Sequence, residues 1–253
     1  MHPGVPDARE AAERAPFGVP THPMPRARPK IEPRLVPTAD SVVVREIYLS
    51  LQGESSHAGR LCTFIRLTGC HLRCTYCDSE FAFTGGERRR IPDLLREVAG
   101  LRCSLVELTG GEPLLQPGVY PLMQALLDDG YEVMLETSGA IDIRLVPTGV
   151  RKIVDFKSPS SGECDRNDLR ILDRMVAHDE LKLVLGSRED YEWARTLVTE
   201  QHLAERPFET LVSTVFGKLH PRELAEWVIA DRLPVRMQLQ QHKYIWEPEA
   251  RGV

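Results

Sequence analysis

The sequence predicts an α/β fold in which a mainly parallel sheet forms a partial, TIM-like (β/α)6-type barrel. Apolar runs rich in β-branched residues alternate with segments of helical periodicity, and this alternation implies parallel strands joined by helices. It occupies residues 41–253, fewer than the roughly 250 residues of a complete eight-stranded barrel. A doubly wound sheet is the structural alternative, because the pattern does not separate the two folds.

Seven apolar runs are predicted as core strands and five intervening segments as helices. The strands are Thr63–Thr68, Leu105–Leu108, Glu132–Glu136, Lys152–Phe156, Leu181–Leu185, Thr210–Val215 and Val235–Leu239. The helices are Pro92–Ala99, Val119–Asp128, Asp168–Ala177, Glu189–Leu203 and Arg222–Ile229. An additional hairpin-like strand is predicted at Val42–Leu49, and no full helix is predicted directly after Glu136.

Residues 1–40 differ from the rest of the chain, being rich in proline and arginine and poor in large apolar side chains. Such a segment buries too little surface to offset its ordering entropy, so a disordered arm is predicted there, followed by one domain over residues 41–253. No apolar run has the length of a membrane span or secretion signal, and the net charge is −5. We therefore expect a cytoplasmic protein without membrane or nucleic-acid partners.

Three cysteines lie close together at Cys70, Cys74 and Cys77. Three thiolates at this spacing can hold one [4Fe–4S] cluster and leave one iron open, because such a cluster normally takes four cysteines. The open iron can bind the amino and carboxylate groups of S-adenosylmethionine (SAM). A zinc site completed by His71 or Cys62 is the alternative, and a disulfide framework is disfavoured in a reducing compartment.

The remaining cysteines, Cys62, Cys103 and Cys164, are isolated in the sequence and are predicted to be small buried hydrophobic residues.

Polar segments follow the carboxyl ends of five predicted strands. They are residues 69–79, 109–113, 137–140, 157–162 and 240–244. Because sites in barrels and open α/β sheets form at this edge, we expect the five segments to line one shared pocket.

The cysteine spacing, with Tyr76 before the last cysteine, resembles the signature of the radical SAM superfamily. In that superfamily the residue at the Tyr76 position lies near the SAM adenine. The segment Thr109, Gly110, Gly111 and Glu112 resembles the motif that binds the SAM amino group. The resemblance implies a barrel of the radical SAM type.

Two further segments carry predicted SAM contacts. Ser138 can meet the SAM ribose or carboxylate, or it can cap a short helix. Lys157 and Ser158 follow the fourth strand, where Lys157 shares one face with Asp155. This charged pair either meets a ligand or forms its own salt bridge.

Three stretches together closely resemble the 7-carboxy-7-deazaguanine synthase family: Leu51–Leu67, Cys77–Ser79 and Gln240–Trp246. The resemblance runs from about residue 44 to the end of the chain. It implies a carbon–nitrogen lyase that contracts 6-carboxy-5,6,7,8-tetrahydropterin to 7-carboxy-7-deazaguanine and releases ammonia, on the route to queuosine and other 7-deazapurines. SAM is regenerated and Mg²⁺ assists.

The resemblance also implies substrate and metal contacts, including a C-terminal substrate-binding segment. The predicted pterin-binding residues are Gln52, Gly53, Glu54, Arg66 and His242. Arg66 is suited to a bidentate grip on the substrate carboxylate. Ser79 is the predicted Mg²⁺ ligand, where threonine is commoner in the family.

Two departures from the family pattern stand out. Ser55 replaces the usual glycine of the segment that begins at Gln52. The chain also continues past Pro248 to Val253, whereas some members end there and use the terminal carboxylate in the site.

The family resemblance further implies an external electron donor of the flavodoxin or ferredoxin type and a homodimer. Two other functions remain open at this point: an activase that acts on a glycyl-radical protein, and a non-catalytic zinc-binding module.

Overall fold

The computed structural model describes residues 39–253, which form one nine-stranded sheet with five α-helices. The strands are β1 (Ser41–Leu51), β2 (Leu61–Leu67), β3 (Glu87–Arg90), β4 (Leu105–Gly110), β5 (Glu132–Thr137), β6 (Arg151–Lys157), β7 (Glu180–Leu185), β8 (Glu209–Thr214) and β9 (Arg236–Met237). The helices are α1 (Ile91–Leu101), α2 (Val119–Asp128), α3 (Arg188–Glu200), α4 (Pro221–Asp231) and α5 (His242–Ile245). The predicted disordered arm lies outside the described residues, apart from its last two.

The strand order β3-β1-β2-β4-β5-β6-β7-β8-β9 confirms a mainly parallel sheet. Strands β2 and β4 to β9 pair in parallel, while β1 pairs antiparallel with both β2 and β3. Within residues 39–253 the two end strands do not pair with each other, so the sheet is an open, partial barrel. The edge strand β3 was not predicted from the sequence.

One predicted helix is wrong. The segment Asp168–Ala177 forms a short 3-10 helix at Leu169–Asp173 instead of an α-helix. The Asp168 carboxylate accepts the N–H of Arg170, and the Asp179 carboxylate accepts the N–H of Val176. The Asp168 bond caps the first turn, whereas the Asp179 bond takes a backbone donor that a longer α-helix would pair internally. The connection from β5 to β6, where the sequence pattern was too weak to predict a full helix, contains no α-helix.

Alternation along the strands separates an outer from an inner face of the sheet. On β4, Val106 and Leu108 pack outward in the main core with the helices, whereas Leu105 belongs to a second, inner cluster. That inner cluster contains Cys62, Phe64, Cys103, Leu105, Met134 and Ile153. Further along the same inner face the side chains become charged, so the interior changes from apolar to polar toward the carboxyl edge.

The isolated cysteines follow the prediction in two cases. Cys62 and Cys103 are buried in the inner cluster, whereas Cys164 is only half-buried in a short 3-10 helix, which corrects the prediction for that residue. None of the helices in the described part of the chain combines the length and apolar character needed to cross a membrane.

Candidate active site

A cavity of about 640 Å³ opens at the carboxyl edge of the sheet. Each of the five polar segments predicted to meet there contributes to its lining. The predicted site residues in its wall are Gln52, Gly53, Glu54, Arg66, Cys70, Cys74, Tyr76, Cys77, Ser79, Thr109, Gly110, Gly111, Ser138, Lys157 and His242. The structure therefore brings most of the predicted site together.

Glu112 and Ser158, two predicted SAM-binding residues, lie behind the cavity wall and are fully buried. The Glu112 carboxylate accepts hydrogen bonds from the Thr137 hydroxyl at 2.9 Å and the Ser138 N–H at 2.7 Å. The Ser158 hydroxyl donates to the carbonyl of Val184 at 2.8 Å. In this structure both side chains brace residues that line the cavity rather than line it themselves.

The cysteine loop is tied to the segment after β6. The Thr75 N–H donates to the Ser161 carbonyl at 3.0 Å, and the Thr75 hydroxyl donates to the Ser160 carbonyl at 2.7 Å. Leu72, between the first two cysteines, is buried and lines the same cavity. These contacts hold Cys70, Cys74 and Cys77 on one wall of the cavity as free, half-buried thiols.

Burial controls the protonation of these thiols. It raises the pKa of Cys74 to about 11, and it raises the pKa of Cys70 and of Cys77 as well. The free thiols are therefore protonated at neutral pH. Iron binds thiolates, so assembly of a cluster must release these protons.

The glycines after β4 allow two loops to meet. A Cβ atom at Gly111 would overlap the carbonyl oxygen of Gly69, directly before the cysteine loop, and one at Gly110 would overlap the backbone of Leu67. Gly110 also has a φ of +149°, in the region that favours glycine. Only residues without a side chain bring this backbone so close to the cysteines.

Two buried polar atoms in the cavity wall have no hydrogen-bond partner among residues 39–253: Ser138 Oγ and Asp155 Oδ1. Buried polar groups are rarely left unpaired, because each costs about 1–3 kcal/mol. A bound polar ligand would satisfy these two, while other unpaired buried atoms, such as Ser50 Oγ and Thr63 Oγ1, lie outside the cavity wall. The three thiols and the glycine backbone supply the donor chemistry that a cluster and SAM require, although within residues 39–253 no three His, Cys, Asp or Glu side chains are already grouped closely enough to hold a metal ion.

A charged layer lies on the inner face of the sheet, and the sequence reasoning missed its centre, Lys182. The Lys182 ammonium lies 2.7 Å from Glu54 Oε2 and 3.4 Å from Asp155 Oδ2, and it also contacts Glu136. Asp155 in turn contacts the Lys157 ammonium at 2.9 Å, the salt bridge considered as an alternative for that pair. A lysine in the middle of an otherwise apolar strand is the signal that would have identified Lys182.

The charge states follow from these contacts. Burial alone would lower the pKa of Lys182, but Glu136, Glu54 and Asp155 raise it well above its ordinary value. Burial would raise the pKa of Glu136, yet the two nearby ammonium groups bring it below its ordinary value. The pKa of Glu107 is raised well above its ordinary value by burial and by the Glu136 carboxylate, which favours its protonated form.

The predicted pterin-binding residues form one connected group. The side-chain NH₂ of Gln52 donates to the Glu107 carboxyl, and the side-chain oxygen of Gln52 accepts the Glu54 N–H at 2.9 Å. The Gln240 amide donates to Glu54 at 2.8 Å, and a Cβ atom at Gly53 would overlap the His242 ring. The loop after β1 is thus packed against the C-terminal segment, and part of the Gln52 amide is already used within the protein.

The backbone conformation at Ser55 explains why glycine is usual at this position. Its φ is +64°, in the left-handed region, which costs a residue with a Cβ about 1 kcal/mol. The Ser55 hydroxyl accepts the N–H of His57 at 3.0 Å and thereby stabilises the turn.

Arg66 is held by several oxygens beside the cavity. Its Nε donates to Glu46 at 2.8 Å, one terminal nitrogen donates to the Tyr48 hydroxyl at 3.0 Å, and the other donates to Ser79 Oγ at 3.2 Å. The Ser79 hydroxyl donates to Asp78 at 3.1 Å. A guanidinium group has five N–H donors, so two of those on Arg66 remain for a ligand.

Comparison with known proteins agrees with this geometry. Residues 64–155 match the sequence model of the radical SAM superfamily, a range that includes the cysteine loop and the paired glycines. The 7-carboxy-7-deazaguanine synthase of Koribacter versatilis is 44% identical over 224 residues, covering 83% of this chain and 99% of the relative. That of Chlorobaculum tepidum is 43% identical over 213 residues, covering 83% and 96%.

A solved structure supports the fold. The crystal structure of QueE from Escherichia coli has a TM-score of 0.66 and 23% sequence identity, covering 80% of this chain and 95% of that one. The radical SAM match implies a [4Fe–4S] cluster and SAM. The activase and zinc-module alternatives are not supported by these matches. The chain belongs to the 7-carboxy-7-deazaguanine synthase family of radical SAM enzymes.

Proposed function

We propose that the protein is a carbon–nitrogen lyase that converts 6-carboxy-5,6,7,8-tetrahydropterin to 7-carboxy-7-deazaguanine and releases ammonia. This reaction belongs to queuosine and 7-deazapurine biosynthesis. The observation that carries the proposal is that the three thiols and the charged layer around Lys182 line one cavity. A radical source and a recognition surface for a polar heterocycle are thus adjacent.

The three cysteines would hold a [4Fe–4S] cluster, and the Ser138 hydroxyl and the backbone at Gly110 and Gly111 would contact SAM. With both bound, the site would supply one-electron cleavage of SAM and hence a radical able to abstract hydrogen. Tyr76 lines the same wall, where its hydroxyl lies 3.1 Å from Ser158 Oγ.

The charged layer suits the edge of a pterin. That edge carries an amino group and ring N–H groups, which donate hydrogen bonds, and the carboxylates of Glu54 and Glu136 accept them. Lys182 contacts both carboxylates and holds them in place. Burial lowers the pKa of His242, so its neutral imidazole can also contact the heterocycle.

Ser79 is the proposed Mg²⁺ ligand, together with oxygens from substrate and water. Its hydroxyl lies beside the Asp78 carboxylate at the cavity wall. The Arg66 guanidinium donates to the same hydroxyl, which leaves its second lone pair for Mg²⁺. Loss of Mg²⁺ stimulation in Ser79→Ala, and its retention in Ser79→Thr, is the expected result.

We also propose that the enzyme acts in the cytoplasm as a homodimer and takes its electron from a flavodoxin or ferredoxin. The exposed side chains of Tyr244 and Ile245 in α5 are candidates for the dimer contact. Sedimentation of the intact protein tests the dimer, and a monomer at micromolar concentration would contradict it.

An anaerobic product assay tests the proposed reaction. The reconstituted enzyme is incubated with SAM, a reductant and the carboxytetrahydropterin, and the products are separated by chromatography. We expect 7-carboxy-7-deazaguanine and ammonia with SAM recovered. Absence of the ring-contracted product from an enzyme that still cleaves SAM would contradict the proposal, and zinc without iron in the purified protein would remove its basis.

A further inference from the structure

The last residues of the chain return to the mouth of the active-site cavity. The Lys243 ammonium donates to the Pro248 carbonyl at 2.9 Å, and the Ala250 N–H donates to the Glu247 carbonyl at 2.8 Å. These contacts turn the chain, and residues 249–253 line the same cavity as the cysteines. The extension beyond Pro248 is therefore part of the cavity wall.

Arg251 packs on an aromatic ring of that wall. Its guanidinium carbon lies 4.2 Å from the centre of the Phe81 ring, a cation–π contact. The guanidinium carbon of Arg66 lies 5.7 Å from the centre of the same ring. Both guanidinium groups thus border one short stretch of the cavity.

Most cations of the cavity wall are already neutralised by a carboxylate. The pairs are Arg66 with Glu46, Lys157 with Asp155, Lys182 with Glu54, Glu136 and Asp155, and Lys243 with Asp78. Arg251 and Lys218 instead contact aromatic rings, and no acidic partner is found for either within residues 39–253. These two are the positive charges still available to an anionic ligand.

The distribution of charge orients the substrate that the cavity is proposed to take. The inner face carries Glu54, Glu136 and Asp155, which repel a carboxylate and attract N–H donors. Arg251 is an exposed residue of the C-terminal stretch of the wall, which also contains Glu247 and Glu249, and its guanidinium fork matches a carboxylate. Lys218 lies 5.7 Å from the Tyr76 ring, beside the proposed SAM contacts.

We propose that Arg251, in the extension beyond Pro248, binds the carboxylate of the pterin substrate and so selects carboxylated pterins. The inference rests on the proposed function, because it assumes that a pterin occupies the cavity. Arg66, whose guanidinium also lies beside Phe81, binds the same carboxylate. Arg251 forms no salt bridge within residues 39–253, so none has to break when the ligand binds. Its charge is therefore fully available to the ligand.

Equilibrium binding of two fluorescent pterins separates the carboxylate from the ring. Holoenzyme purified anaerobically is titrated with 6-carboxypterin and with unsubstituted pterin, with SAM present and no reductant, so that no turnover occurs. We expect Arg251→Ala to weaken 6-carboxypterin binding about tenfold, the loss of one charge-assisted contact, and pterin binding by less than about twofold. Arg251→Lys keeps the charge without the fork and should lose about threefold.

Matched variants keep the test specific. Deletion of residues 249–253 should reproduce the Arg251→Ala result. Arg222→Ala removes an exposed arginine of α4 that pairs with Glu226, and it should change neither affinity. Two outcomes would overturn the role of Arg251 and leave the proposed reaction intact. The variants could lose affinity equally for both pterins, or both Arg251→Ala and the deletion could keep the wild-type preference for 6-carboxypterin. A wild-type enzyme that does not prefer 6-carboxypterin would overturn the proposed substrate and this inference together.

Discussion

Two buried lysines on neighbouring strands have opposite surroundings. At the start of β6, the Lys152 ammonium lies 3.0 Å from Asp179 Oδ1 and also donates to the Val150 carbonyl. Asp179 is fully buried and further accepts the N–H groups of Lys152 and Val176. Every charge in this pair is matched, and the pair lies outside the cavity wall.

Lys182 on β7 is surrounded by three carboxylates, so its cluster carries excess negative charge. Its members line the cavity, and one oxygen of Asp155 has no hydrogen-bond partner among residues 39–253. The comparison teaches that burial of a charge does not by itself identify a functional site. A saturated, neutral pair stabilises the fold, whereas an unsaturated cluster beside a cavity is able to bind a ligand.

The largest expected effect extends this comparison to the cysteines. Cys70→Ala, Cys74→Ala or Cys77→Ala should each abolish SAM cleavage, because two thiolates cannot hold the cluster with one open iron. Cys103→Ala, in the buried inner cluster, should keep cleavage and lose only stability. Formation of 5′-deoxyadenosine and the iron content per chain are the measurements. Retained cleavage in any of the first three variants would contradict the cluster assignment.

The second prediction separates the two lysines. Lys182→Met should lower product formation about 100-fold, because the carboxylates lose the charge that orders them. Lys152→Met should keep activity per folded molecule but cost about 3–5 kcal/mol of unfolding free energy, because Asp179 is left buried and unpaired. Product assays and urea unfolding of both variants measure this. The reverse pattern would break the distinction between the two sites.

The third prediction concerns pH. Because the pKa of Glu107 is raised in the folded protein, its contribution to stability is complete below the ordinary glutamate pKa of about 4.3 and declines as the pH rises toward the folded value. Glu107→Gln stays neutral and keeps the contact with Gln52. Relative to wild type, it should gain up to about 1.4 kcal/mol of unfolding free energy per pH unit above about pH 5. A difference independent of pH would show that Glu107 is ionised.

The smallest effect is expected at the exposed Arg60, whose guanidinium pairs with Glu132 at 2.6 Å. Both side chains are more than a third exposed, so water and salt screen the pair. Arg60→Ala should cost about 0.5 kcal/mol of unfolding free energy and leave product formation unchanged. A loss of activity would mean that this end of the barrel also acts on the site.

The interior residues show where sequence reasoning stops. Lys182 and Glu107 lie within strands recognised as apolar runs, and their roles depend on partners from other strands. The missing helix at Asp168–Ala177 is a different case, because Asp179, which accepts the Val176 N–H, is only three residues away in the sequence. Local patterns do not contain the long-range contacts of Lys182 and Glu107.

By itself, the sequence determined the alternation of strands and helices, the cysteine loop and the polar segments that end the strands. Each depends on residues close together in the chain, where local spacing and periodicity express the physics directly. The tertiary structure decided which charges are paired, which polar atoms are left for a ligand, and that Arg251 returns to the cavity. Those features depend on burial and on distances between segments far apart in sequence, which arise only when the sheet is assembled.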